Sequence, residues 1–367
     1  MPGTAIETKS ASGEPTCRIT ASVLTPGRWM ATMVVLTGAS LFALLVCLQF
    51  GVERIGFAET IEILARALRD GDPGAESAGS TGVILLQVRL PRLLLGFLVG
   101  GCLAVVGAAL QALLRNPLAD PYVLGLSSGA ALGVSVALVF GLGTVSLALP
   151  LLPLSAFAGS LLSILLVYRV AVSYGHLPVH TLLLAGVVLN TLFSALIMFA
   201  TSLIDPAQSF RIISWLMGTL SALDYQALAV LTLYSLVGGV LLIRQAWPLN
   251  LLTLGEETAR SLGVEVEQVK RRLFFIAALL TGAVVSVSGL IGFVGMAVPH
   301  AVRMVIGADH RLLMPASVLV GGTFLVAADT VARTALAPAE IPVGVVTALV
   351  GAPFFLYLLI SRKGGMV

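Results

Sequence analysis

Charge is what this 367-residue sequence has least of. Asp, Glu, Lys and Arg make up 11% of the chain against 58% hydrophobic residues, and the mean hydropathy is +1.03. A soluble domain carries roughly 25% charged residues, so a soluble globule could not cover this much apolar surface. The fitting solvent is a bilayer, where each helical span takes about 20 apolar residues. Lysine is down to Lys9, Lys270 and Lys363. None of them follows a glycine, so the G-x-x-x-x-G-K-[ST] loop that cradles nucleotide phosphates is absent. The cysteines, Cys17, Cys47 and Cys102, are odd in number and lack metal-ligand spacing. Cys47 and Cys102 lie in apolar runs and read as small core residues. The net charge of +3 is too small to point to nucleic acid. Histidine is scarce as well. His176 and His180 are spaced H-x3-H, but Pro178 breaks the helix that would align them. No carboxylate cluster joins them or His300 and His310, so no metal site is expected. H-E-x-x-H is missing, and no paired Asp or Glu constellation lies in the apolar runs, which argues against an intramembrane enzyme.

What is there in abundance is apolar run. Ten candidate spans emerge, at residues 29–50, 93–114, 121–142, 151–172, 181–203, 225–244, 272–290, 294–307, 312–332 and 343–361. The eighth is short and contains Gly295 and Pro299. It is expected to be kinked or partly re-entrant, which is tolerable only when buried in protein. Residues 1–28 are polar, rich in Ser, Thr and Pro, and are expected to be disordered. They lack the early apolar stretch of a signal peptide. The domain layout is therefore a cytoplasmic N-terminal region at 1–28, a transmembrane domain at 29–363 and a short tail at 364–367.

Ten spans put both termini on one side, and basic residues choose which. With the termini inside, inner segments hold fourteen of the 21 Lys and Arg. The outer seven are Arg54, Arg66, Arg69, Arg89, Arg92, Arg211 and Arg333. The bias predicts cytoplasmic termini. Two halves of five spans are then inverted relative to each other, as in many transporters. A faint echo accompanies this: Gly107 precedes Pro117 by ten residues, as Gly289 precedes Pro299.

Two polar segments interrupt the runs. In the outer one, 51–88, "AETIEILARALR" places Ile61, Leu64 and Leu68 on one stripe, which predicts a short helix lying on the membrane surface. In the inner one, 245–271, "LLTLGEETARSLGV" reads as a short helix with Glu256 and Glu257 in its first turn, Arg260 in its last and Gly263 as a C-terminal cap. Leu254, Leu262 and Val264 offer it an apolar surface. It is either a solvated connector or a helix docking on a cytosolic partner. Arg89 and Arg92 stand at the outer lip of the second span. Snorkelling anchors and partner contacts both fit them. Arg333 lies four residues after Asp329 and could pair with it. Gln111, Asn190 and Asp329 are polar groups in or near spans, where such residues face a bundle interior or cavity or glue helices together. Gly100, Gly101, Gly107, Ser127, Ser128 and Gly129 allow close helix packing.

"RLPRLLLG", "QALLRNPLADPYVLGLSSGAALG", "LGEETARSLGV", "GLIGFVGMAVPHAVR", "ADHRLLMPAS" and "PAEIPVGVVTALVGAPFFLYLL" follow one another in this order. From about residue 29 to the C-terminus the chain closely resembles the FecCD-type permeases of ATP-driven importers for iron chelates, haem and cobalamin. The resemblance implies an all-α integral membrane protein of about ten transmembrane helices with the type II ABC importer permease fold. It implies a dimer, most simply a homodimer, served by two cytosolic ABC ATPases and a periplasmic or lipid-anchored substrate-binding protein, in a bacterial inner membrane. This chain would bind no cofactor, ATP and magnesium belonging to the ATPase, and would catalyse no covalent reaction. By the same resemblance Gly255, Glu256, Ala259, Leu262 and Gly263 form the coupling helix, and Arg89, Arg92 and Arg333 meet acidic residues of the binding protein. Pro178, Val179 and His180 stand at the cytoplasmic gate, where relatives carry small hydroxyl residues. The fifth and tenth spans line the pathway. Iron-siderophore is the expected cargo, with haem and cobalamin open. The rival reading is an ion-coupled secondary transporter, which needs embedded carboxylates; Asp329 comes nearest.

Overall fold

The computed structural model of the protein describes residues 24–51, 55–70, 79–142, 151–173 and 176–363. The N-terminal region up to residue 23, with Cys17, and the tail at 364–367 lie outside the described residues. The described elements are helices: α1 Pro26–Gln49, α2 Phe57–Asp70, α3 Gly79–Leu113, α4 Leu126–Val139, α5 Leu151–Ala171, α6 Val179–Ser202, α7 Pro206–Leu216, α8 Tyr225–Ile243, α9 Ala246–Thr253, α10 Glu256–Ser261, α11 Val266–Ser288, α12 Val294–Ile306, α13 His310–Thr334 and α14 Val343–Lys363. Seven are long and apolar enough to cross a bilayer, namely α1, α3, α5, α6, α8, α11 and α13. With the shorter α4 and α12 and with α14, all ten expected spans correspond to helices.

Two five-helix series follow one another, α1 with α3 to α6, then α8 with α11 to α14. In each the third helix is short, 14 residues in α4 and 13 in α12, or about 20 Å at 1.5 Å per residue. That is less than the hydrocarbon thickness of about 30 Å. Each short helix also opens on a left-handed residue, Gly125 at φ 77° and Phe293 at φ 68°. This is the true internal correspondence. The Gly107/Gly289 echo is not one, because Gly107 lies within α3 whereas Gly289 terminates α11.

The core is built around α3. Its most apolar window is 83% buried, against 22–28% for α5, α6 and α8. Burial at this density needs small residues at helix crossings. A Cβ on Gly100 would lie 2.3 Å from the Gly321 carbonyl oxygen of α13, and one on Gly107 would lie 1.7 Å from that of Gly295 in α12. Gly129 and Gly133 on α4 meet Gly159 and Ser155 on α5 in the same manner.

The amphipathic helix α2 forms, but its buried face is shifted: Leu64 of the expected stripe lies on it, Ile61 does not, and the Leu68 side chain lies outside what is described. Thr60 and Ile63 are buried with Leu64 and Ala67 beside them, packed near Leu48 of α1 and Leu85 of α3, whereas Ile61 is exposed. The small Thr60 and Ala67 let this face approach α1. The Thr60 hydroxyl is satisfied by the Gly56 carbonyl, so it can be buried. The helix thus docks on the protein through that face.

Candidate functional site

Towards its N-terminal end, α3 is irregular for a reason written in "RLPR". Pro91 has no N–H to give an earlier carbonyl. Residues Ile84–Arg89 widen into a π-turn in which the Leu90 N–H reaches Leu85, and the freed Leu86 carbonyl accepts the Tyr225 hydroxyl of α8. Such turns recur at functional sites.

Here the π-turn delivers Arg89 and Arg92 to one cavity of about 310 Å³, lined also by Gly51, Ile84, Val88, Arg333 and Glu340. The three arginines expected to act together are therefore brought together. They do not form an exposed rim, however. Arg89 is 6% and Arg333 9% exposed, and the Arg92 side chain 15%. Arg89 donates to the Leu48 and Gln49 carbonyls at 3.1 and 3.3 Å, capping the C-terminal end of α1, whose last carbonyls have no helical donor. Asp329 accepts from Arg92 at 2.9 Å and from Arg333 at 3.0 Å, and Arg92 also reaches Glu340 at 3.0 Å. Orphan carbonyls and a buried carboxylate draw these cations inward. The sequence suggested the Asp329–Arg333 pair. It did not suggest Arg92, which lies 237 residues from Asp329.

By the C-terminal end of α3 a second cavity, of about 600 Å³, is bounded by Arg115, His176, Pro178, Val179, His180, Glu256, Arg260, Glu267 and Lys270. It brings the expected gate stretch beside the expected coupling helix. α10 ends as the sequence predicted. Gly263 is left-handed at φ 85°, with its N–H on the Arg260 carbonyl and the Val264 N–H on that of Ala259. Gly255 opens the helix at φ 125°, a conformation other residues adopt only with strain. Leu254 and Leu262 are exposed, 65% and 52%, but Val264 and Ala259 are buried. Ala259 thus faces this chain's own core. Its small size lets α10 lie flat on the bundle, and the outward surface belongs to Leu254, Glu257, Arg260 and Leu262. His180 is exposed, and His176 sits 3.6 Å from Glu267. Among the described residues no group of three His, Cys, Asp or Glu gathers in a way that could hold a metal ion.

Sequence reasoning missed Lys270 and Glu267. Lys270 is 4% exposed and lies 2.8 Å from Glu256 and 3.4 Å from Glu267. Its presence near the start of an apolar helix was the available signal. Gln111 and Asn190 are helix glue. Gln111 donates to the Met296 carbonyl at 3.0 Å and Asn190 to that of Tyr122 at 3.1 Å. Asn190 nevertheless edges a cavity of about 640 Å³ with Ser128, Thr191 and Ser194.

The sequence fits the FecCD transport family over residues 39–361. The chain belongs to the FecCD transport family. The matched stretch runs from α1 into α14 and encloses both charged clusters. The chain is 47% identical to the cobalamin import system permease protein BtuC of Halobacterium salinarum, over 77% of this chain and 74% of the relative. It is 46% identical to the hemin transport system permease protein HmuU of Yersinia pestis, over 76% and 84%. Among solved structures, a metal-chelate type ABC transporter in an inward-facing conformation superposes with a TM-score of 0.76 at 31% identity, covering 90% of this chain and 99% of that one. FecCD membership makes this chain a multi-pass membrane permease.

Proposed function

We propose that this FecCD-family chain is the permease subunit of an ABC importer that accepts a metal chelate from a substrate-binding protein and passes it to the cytoplasm by alternating access. The observation that carries the reading is the inner cavity, where the capped helix α10 and the gate stretch Pro178, Val179 and His180 share one wall. A helix flanked by the outward Leu254 and Leu262 that lines the same cavity as the gate suits transmission of force from a cytosolic partner. ATP hydrolysis then belongs to two separate ABC ATPases, and two copies of this chain enclose the pathway between their α6 and α14 helices. The outer face takes the binding protein, with Arg92 and its exposed partner Glu340 as the reachable charges and Arg89 and Arg333 supporting the mouth. The membrane is the bacterial inner membrane, and both termini are cytoplasmic.

Relatives named for cobalamin, hemin and iron chelatin all support a bulky chelate as cargo. Iron-siderophore is our first choice. The secondary-transporter alternative loses its footing at Asp329, whose carboxylate is already neutralised by two guanidinium groups. The test is reconstitution in liposomes with the ATPase and binding-protein partners. Accumulation of chelate that requires both partners and ATP supports the reading. Uptake by this chain alone, driven by a proton or sodium gradient, would falsify it. The absorption spectrum of the loaded binding protein identifies the cargo.

A further inference from the structure

We propose that Glu267 and Lys270, at the inner end of α11, form a charge relay between α10 and the first turn of α6, so that movement of α10 is felt at Pro178, Val179 and His180. The inference rests on reading α10 as the ATPase-facing helix, and it adds the residues that carry the motion.

The relay can be followed atom by atom. Lys270 is buried, and a buried ammonium is tolerated only when paired. It bridges two segments, with Nζ 2.8 Å from Oε1 of Glu256 on α10 and 3.4 Å from Oε1 of Glu267 on its own helix. The other Glu267 oxygen accepts the Leu177 backbone N–H at 2.8 Å, across 90 residues of sequence. Leu177 is itself buried, and the next residue is Pro178, which has no N–H. The Pro178 carbonyl then takes the Leu182 N–H in the first turn of α6. Glu267 therefore holds the last backbone donor before α6 begins. Arg260 braces the same carboxylates, 3.8 Å from Glu256 and 3.5 Å from Glu267, and Arg115 stands 4.0 Å from Glu256.

Lys270 lies between the two carboxylates, and Arg260 and Arg115 stand within reach of Glu256, so a second arrangement is available to the relay. If a partner pulls α10 outward, Glu256 leaves Lys270 and turns to Arg260 or Arg115. Lys270 then settles on Glu267 alone, and the grip on Leu177 changes with it. A charge pair that both ends bias in this way is a physical two-state element, the condition for energetic coupling between separated sites.

The test uses the permease assembled with its ATPase and binding-protein partners in lipid discs, with a single cysteine at His180 and Cys17, Cys47 and Cys102 replaced. Labelling by a water-soluble maleimide is timed with and without ATP and vanadate, and ATP hydrolysis is measured on the same samples. In the parent, ATP changes the labelling rate. Lys270→Met and Glu267→Gln are expected to shrink that change roughly 2- to 30-fold, the span of coupling energies for residues between two sites. ATPase co-purification and hydrolysis should persist. Lys270→Arg should keep most of the response, and the double variant should be no worse than the worse single, as for one shared path. Should Lys270→Met fail to assemble, Glu267→Gln carries the test, because it keeps size and an acceptor for Leu177. An undiminished ATP response in assembled Glu267→Gln overturns the relay while leaving the role of α10 standing. A parent that binds no ATPase removes the reading of α10, and the relay with it.

Discussion

Asp329 offers the sharpest test of how the arginine-lined mouth is held. Replace it with Asn, which keeps the shape and removes the charge. Asp329 is 2% exposed and is the shared counter-ion of Arg92 and Arg333. Two unit charges about 4 Å apart attract by roughly 4 kcal/mol at an effective dielectric of about 20. Removing one partner of a buried pair costs about 3–5 kcal/mol, because the remaining charge is left unpaired. Arg92 keeps Glu340 at 3.0 Å, but the Glu340 side chain is 54% exposed, so that contact returns at most about 1 kcal/mol. The stranded charge is Arg333, and a loss near 3 kcal/mol is expected. It should appear as a lower unfolding temperature of the purified permease in detergent. Removing Arg333 as well, in Asp329→Asn with Arg333→Met, should recover part of the loss, since only Arg92 then remains and it has Glu340. If Asp329→Asn leaves stability untouched yet abolishes uptake, the carboxylate acts on cargo or protons and the counter-ion argument is refuted.

Four further outcomes follow from the same reasoning. Gly107→Ala, whose new Cβ would overlap the Gly295 carbonyl, should cost at least the roughly 1–3 kcal/mol of ordinary overpacking, read as a lower yield of monodisperse permease. Leu262→Asp, on the exposed side of α10, should weaken ATPase co-purification without changing permease stability, whereas Ala259→Trp, on the buried side, should lower both; equal behaviour of the two would reject the assigned faces. A single cysteine at the exposed Leu336 should react with an impermeant reagent from outside and one at Ser261 only after the membrane is opened; the reverse pattern inverts the topology. Glu340→Gln, at the exposed edge of the mouth, should speed binding-protein association at low salt, with the difference narrowing as ionic strength rises, because an exposed charge contributes only about 0.2–1 kcal/mol. An effect independent of salt would remove the docking role.

Much of this permease is legible in the sequence because its elements answer to local rules. A helix in lipid must satisfy its own backbone, so every span announces itself as an apolar run of the right length. All ten expected runs are helical, and the end of α10 at Gly263 follows from a single left-handed glycine. The shortness of α12 was visible too, in the brief run 294–307, but the helix passes through Gly295 and Pro299 rather than being interrupted by them and stops at Gly307, φ 102°. What the sequence left open depends on residues far apart in the chain. Period alone could not choose between Ile61 and Ile63 as the buried side of α2, because that choice is made by Leu48 of α1 and Leu85 of α3. Nor could it place Arg92 on Asp329, Glu267 on the Leu177 N–H, or Ala259 against the core, since each position looks free until the bundle closes. Charge is so scarce here that every buried cation must find a partner, and only the tertiary structure decides which one.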